Sequence, residues 1–68
     1  MNLETILRGI AAIGAVTAKL PEVSAIIQAA ASMLSEDDQA VAKEALADLI
    51  ADNDEGHRRL QEKLRAAR

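Results

Sequence analysis

Leu3, Ile6, Leu7, Ile10, Ile13, Thr17 and Leu20 recur at spacings of three and four, so they line one side of a helix. Thr5, Arg8, Ala12, Ala15 and Lys19 fall on the other side. This pattern predicts a first helix over about 3–19, with Asn2 as its N-cap. Gly9 and Gly14 each cost up to about 1 kcal/mol inside a helix; the expectation is that they let a neighbouring helix come close, the alternative being a hinge. Val23, Ile26, Ile27, Ala30, Met33 and Leu34 form a second stripe and predict a helix over about 22–34. Pro21 disfavours helical geometry at Leu20 and suits the first turn of the new helix, where Glu22 meets the positive end of the dipole. The first two helices meet in a tight turn or a sharp corner, and the pattern leaves both open.

Ser35-Glu36-Asp37-Asp38 is the clearest local signal. Ser35 is placed to cap the free N–H groups of the next helix, and three carboxylates favour its dipole. Serine-x-x-acid resembles a capping box, with Asp38 shorter than the preferred Glu. A third helix is expected over about 36–66. Asp54 with Arg58 and Glu55 with Arg59 are spaced i,i+4 with the acid first, which favours helix through Gly56; a break within Asp52–Gly56 is the alternative.

These elements predict an all-α chain of three helices, a hairpin packed on a longer C-terminal helix, forming one small domain over 1–68. At 1.5 Å rise per residue the third helix would be about 45 Å long, against about 25 Å and about 20 Å for the others. Its basic end, 57–68, would project, yet it carries Leu60 and Leu64 on the same face as Leu46, Ile50, Asn53 and His57. The seam can also be written as a heptad, with Ala42, Leu49 and Gly56 at one position and Leu46, Asn53 and Leu60 at the other. There a single Asn can set register and oligomer state, or Asn53 and His57 simply face solvent. The expected interface is therefore Leu46, Leu49, Ile50, Asn53, His57, Leu60 and Leu64, used for a homo-oligomer, dimer or higher, or for a protein partner.

Composition strengthens the expectation of shared burial. The 68 residues include no Cys and no aromatic residue. Disulfides and thiolate metal sites are excluded, which fits a reducing compartment. A core of Ile, Leu, Val, Met and Ala yields less per residue than one with aromatics, and a chain this short rarely gains more than about 3–5 kcal/mol from its core alone. Charge is split along the chain. Residues 36–55 hold eight acids and one Lys, residues 57–68 hold five bases and one acid, and residues 1–35 balance, for a net −3. Dipole matching explains the direction; antiparallel pairing of two such helices would also set acid against base.

The chain offers little for chemistry. His57 is the single histidine. Asp54-x-x-His57 puts a carboxylate and an imidazole one turn apart, as in bundle metal sites, but those take several more ligands. Asp52-Asn53-Asp54-Glu55-Gly56 superficially suggests a calcium loop, yet the twelfth position, where a bidentate Glu is required, is Lys63. Ser24, Ser32 and Ser35 have no nucleophile motif around them, and there is no Gly-rich phosphate loop. The expectation is a non-enzyme with no catalytic, cofactor-binding or metal residues. Nucleic-acid binding is disfavoured by the acidic segment, the net charge and the lack of stacking residues. A membrane-surface role for the apolar first half is a weaker alternative, because surface helices usually carry basic polar faces. No uncharged run reaches the ~20 residues of a spanning helix, and the N-terminal residues lack the layout of a signal peptide.

The stretch from Ser35-Glu-Asp-Asp-Gln-Ala through Asp54-Glu-Gly-His57-Arg-Arg-Leu-Gln61, following an apolar helical first half, resembles short Ala-rich helical proteins encoded in tailed-phage and prophage gene clusters. The resemblance implies a small virion, assembly or host-takeover component that acts through contacts, in the bacterial cytoplasm or the virion, and it carries over no functional residues. The expected function is thus a non-enzymatic helical interaction or assembly protein, self-associating through the third helix. The alternatives are a small membrane-surface or membrane-active protein inserting the first two helices, and an acidic inhibitor that binds a host protein through residues 36–55.

Overall fold

Both helix starts that the side chains announce form as expected. In the computed structural model, which describes residues 2–67, the Asn2 side chain accepts a hydrogen bond from the Thr5 N–H at 2.9 Å and opens α1, Leu3–Ile13. Ser35 accepts from the Asp38 N–H at 3.3 Å and opens α4, Glu36–Ala51. Between them lie α2, Ala15–Ala18, and α3, Pro21–Ala31; α5, Asp54–Ala67, closes the chain. All five elements found among the described residues are helical. Met1 and Arg68, the latter counted in the basic end, lie outside the described residues.

The first predicted helix is interrupted at Gly14, which has φ 80° and ψ 159°. Side-chain-bearing residues scarcely adopt this combination. Nothing lies within 4 Å of where a Cβ would sit on Gly9 or Gly14. The expected close approach of a helix at these glycines is therefore corrected: Gly14 breaks the helix in two, and Gly9 faces open space. Gly14→Ala is expected to cost about 1–2 kcal/mol, from backbone strain alone. Urea denaturation would register it, and an unchanged midpoint would contradict it.

Leu20 is extended, φ −68° and ψ 128°, and Pro21 takes the first helical position of α3 as expected. That helix ends at Ala31, three residues before the predicted end. The Ser32 hydroxyl donates to the Ala29 carbonyl at 2.6 Å, and the chain tightens into three-residue turns through Leu34. The Gln39 amide, from α4, then donates to the carbonyls of Leu34 at 2.8 Å and Ser32 at 3.2 Å. Gln39 thus satisfies acceptors that the end of α3 leaves free.

The largest departure is at Asp52-Asn53. The predicted third helix is not continuous. Asp52 is left-handed, φ 50° and ψ 49°, and ends α4 with its N–H on the Leu49 carbonyl at 3.1 Å. Asn53 then starts α5: its side-chain oxygen accepts from the Gly56 N–H at 2.7 Å. Asp and Asn tolerate the left-handed region and cap helices well, because their short side chains bond the local backbone. Gly56 is buried against α4. A Cβ there would overlap the Asp48 carbonyl oxygen and press on the Asn53 side chain. Only a bare backbone lets the two helices approach this closely at the corner.

Because of the corner, α5 folds back instead of projecting. It packs on α4 and α1, while α3 meets α1, α2 and α4. The core gathers Ile6, Leu7 and Ile10 of α1, Leu46 and Leu49 of α4, and Leu60 of α5. Leu7 and Ile10 are the largest side chains that are fully buried. The alanines Ala18, Ala31, Ala42 and Ala45 complete it, and these, not Gly9 or Gly14, supply the small contacts between helices. The radius of gyration is 10.7 Å, near the roughly 11 Å expected of a folded chain of this length.

Candidate docking surface

The residues expected to form an interface are divided by the fold. Leu46, Leu49 and Leu60 are buried at 6%, 4% and 4% exposure, in this chain's own core. Ile50 and Leu64 are half-buried against that core. Asn53 and His57 are exposed; the first is the cap of α5, and the second places Nε2 3.2 Å from an Asp52 carboxylate oxygen. The stripe from Leu46 to Leu64 is covered from within. Its two polar members, Asn53 and His57, lie at the corner.

Several charges are paired within the chain. Arg58 pairs with both Glu55 and Glu62, and Arg59 with Glu55 at 3.2 Å. Lys63 reaches back to Asp48 on α4 at 2.6 Å, with side-chain exposures of 18% and 10%, and lies 4.0 Å from Glu44. The opposition of acidic and basic segments expected between two chains thus occurs within one, where Lys63–Asp48 latches α5 to α4. The Glu55–Arg59 pair forms as expected. Arg58 turns to Glu55 and Glu62 rather than Asp54, so these pairs stabilise α5 itself and say nothing about continuity through Asp52.

The hydrogen bond and then the charge of Arg58, with Arg59 adding, hold the Glu55 carboxyl below its ordinary pKa; the same contacts with Glu55, and then Glu62, raise Arg58. The folded chain therefore binds fewer protons at Glu55 than the unfolded one. Its contribution is complete above the ordinary Glu value and is lost as pH falls through the lowered one. Exposure keeps the effect small and sensitive to salt. On acidification through the carboxylate range, the melting temperature of Glu55→Gln is expected to fall less steeply than that of the wild type. Parallel curves would contradict this.

The uncovered apolar surface lies elsewhere. Val16 is 81% exposed, Met33 80%, Ile26 69% and Leu20 51%. All four belong to the segment from α2 to the turn after α3. Ile26 also borders an open groove of ≈ 270 Å³ between α1 and α3, lined by apolar side chains such as Ile6, Ile10, Ile13 and Val23, with Thr5 and Gly9. No ionisable residue lines it. The cause lies in the sequence of α3. Val23, Ile27, Ala30 and Leu34 are the half-buried inner row, while Ile26, Ala29 and Met33 form an outer row that nothing covers. A helix apolar on both sides is built for burial on both. Alternation of these rows at helical spacing was visible in the second stripe, where Ile26 and Met33 sit beside, not within, the Val23–Ile27–Ala30–Leu34 row.

A second hollow, ≈ 450 Å³, lies between the α1–α2 break and α5, lined by Leu49, Leu60, Leu64 and Gln61 together with the Asp52–His57 pair. Among the described residues no three His, Asp or Glu side chains gather as metal ligands, and no helix is long and apolar enough to cross a membrane. Compared with known proteins, the chain matches no family model, no curated protein and no solved structure.

Proposed function

We propose that the chain is a non-enzymatic helical interaction or assembly protein that docks through the largely apolar surface from α2 to the turn after α3. One observation carries this reading: four large aliphatic side chains, Val16, Leu20, Ile26 and Met33, stand more than half exposed in the segment from α2 to the turn after α3, and Ile26 also borders an apolar groove. A single exposed aliphatic side chain is ordinary on a protein surface, whereas several within one short segment, next to an apolar groove, favour a contact site. The resemblance to phage-encoded helical proteins supports the same class, a component of virion, assembly or host takeover acting through contacts. Inhibition of a host protein through the acidic segment is less supported, since Asp48 and Glu44 are engaged by Lys63.

A photo-activated cross-linking residue tests the reading in cells. Placed at position 26 or 33 it should yield covalent adducts, and at exposed position 40 or 61 it should not. Adducts spread evenly over the four positions, or absent from all, would refute docking through this face.

A further inference from the structure

Resting on that reading, we infer that the occupant of the face is a second copy of this chain, packed α3 against α3 about a two-fold axis. The outer row of α3 and the turn after it, Glu22, Ile26, Ala29 and Met33, is spaced four, three and four, the interval at which one helix meets another along a seam. All four residues are exposed. Ala29, with Ala25 beside the row, keeps the centre of the ridge low, so that a second helix can lie close. A partner must offer a matching helical ridge, apolar from Ile26 to Met33 with one acid at its start, and the chain itself presents one. A two-fold contact needs only a surface complementary to itself.

Charge argues for the same occupant. The rim of the face carries Lys19 and Glu22 on either side of the α2–α3 corner, both exposed. Among the described residues neither has an ion-pair partner. The nearby Arg8 and Glu4 already pair with each other at 3.0 Å. One free cation and one free acid sum to zero. Such a rim does not draw the face to an anionic membrane, which is recognised by several Lys or Arg. With the two-fold axis running along the seam, so that the two α3 helices lie parallel, Lys19 of each chain comes level with Glu22 of the other and two reciprocal Lys19–Glu22 pairs form. The area needed is moderate: a standard interface covers about 800 Å² per partner, roughly a fifth of the 4356 Å² the chain exposes. It would also add apolar burial to a core in which four of the ten buried hydrophobic residues are alanines.

Light scattering and sedimentation from low micromolar to millimolar concentration test the pairing on the full chain. The wild type should reach twice its 7.2 kDa mass. Ile26→Asp should remain at the single-chain mass with its helicity intact, because Ile26 is 69% exposed. Lys19→Glu or Glu22→Lys should each weaken pairing about five-fold, and the double swap should recover most of it. A single-chain mass at the highest concentration, pairing that survives Ile26→Asp, or a double swap that recovers nothing would each overturn the inference. Two further measurements on a single-chain species separate the consequences. Position-26 adducts to other molecules, or Ile26-dependent binding to phosphatidylglycerol vesicles, would overturn self-pairing and keep the docking face. Neither adduct nor vesicle binding would overturn both.

Discussion

Gly56→Ala should lower the melting temperature by roughly 10–20 °C. The added methyl would meet the Asp48 backbone carbonyl, which cannot swing aside as a side-chain tip could. Forcing atoms into a packed site costs about 1–3 kcal/mol, and an obstacle made of backbone puts this case at the upper end. In a domain of this size each kcal/mol moves the midpoint by about 4–8 °C. The sign of the shift discriminates between folds. In an uninterrupted helix from Glu36 to Ala66, replacing glycine by alanine would stabilise by up to about 1 kcal/mol. Thermal melts followed by far-ultraviolet circular dichroism decide: a rise would mean that α4 and α5 do not form the close corner.

Leu60 carries the second large effect. Its side chain is 4% exposed and belongs to the central cluster with the leucines and isoleucines of α1 and α4. Truncation of a buried leucine to alanine costs about 2–5 kcal/mol, as much as the about 3–5 kcal/mol that a core of this size supplies. Leu60→Ala should therefore be largely unfolded near body temperature, and Leu60→Asp unfolded throughout. A projecting helix end predicts something else, dissociation of an assembly whose subunits stay folded. Ile26→Asp is the matched control, a charge placed on an exposed aliphatic side chain. Chemical-shift dispersion in two-dimensional NMR distinguishes them: collapse for Leu60→Asp and retention for Ile26→Asp. Retention in both would return Leu60 to the surface.

The helical class, the caps at Asn2 and Ser35 and the helix start at Pro21 are legible in the chain because each depends on two to four neighbouring residues. The break at Asp52-Asn53 is legible only in part. Asn and Asp in succession, followed by glycine, offer a left-handed residue and a new cap, while the i,i+4 pairs around Arg58 and Arg59 are equally at home in one long helix or in the start of a fresh one. Propensity cannot choose between them. The choice is made by tertiary packing, when Gly56 meets the Asp48 carbonyl and Leu60 enters the core. The burial of the Leu46–Leu60 stripe is hidden in the sequence for the same reason. Leu60 and Leu64 look uncovered only while the helix is straight, and once it folds back the large exposed aliphatics are those from α2 to the turn after α3. A signal is present in that helix: apart from Glu22 it has no charged residue between Pro21 and Ala31, and Ser24 and Gln28 are its only other polar side chains.

The corner between α4 and α5 also bears on how fast the chain reaches its fold. Two residues separate the helices, so their meeting closes almost no loop and is nearly free of the entropy that delays distant contacts. Chains whose contacts are local reach the native state in microseconds to milliseconds. The α4–α5 hairpin is then the natural nucleus, and α1, which must cross most of the sequence to reach α5, docks upon it later. On that order the cost of a methyl on Gly56 falls mainly on the refolding rate rather than on the unfolding rate. Substitutions in α1 would divide the other way, so the bend sets the tempo of assembly as well as its shape.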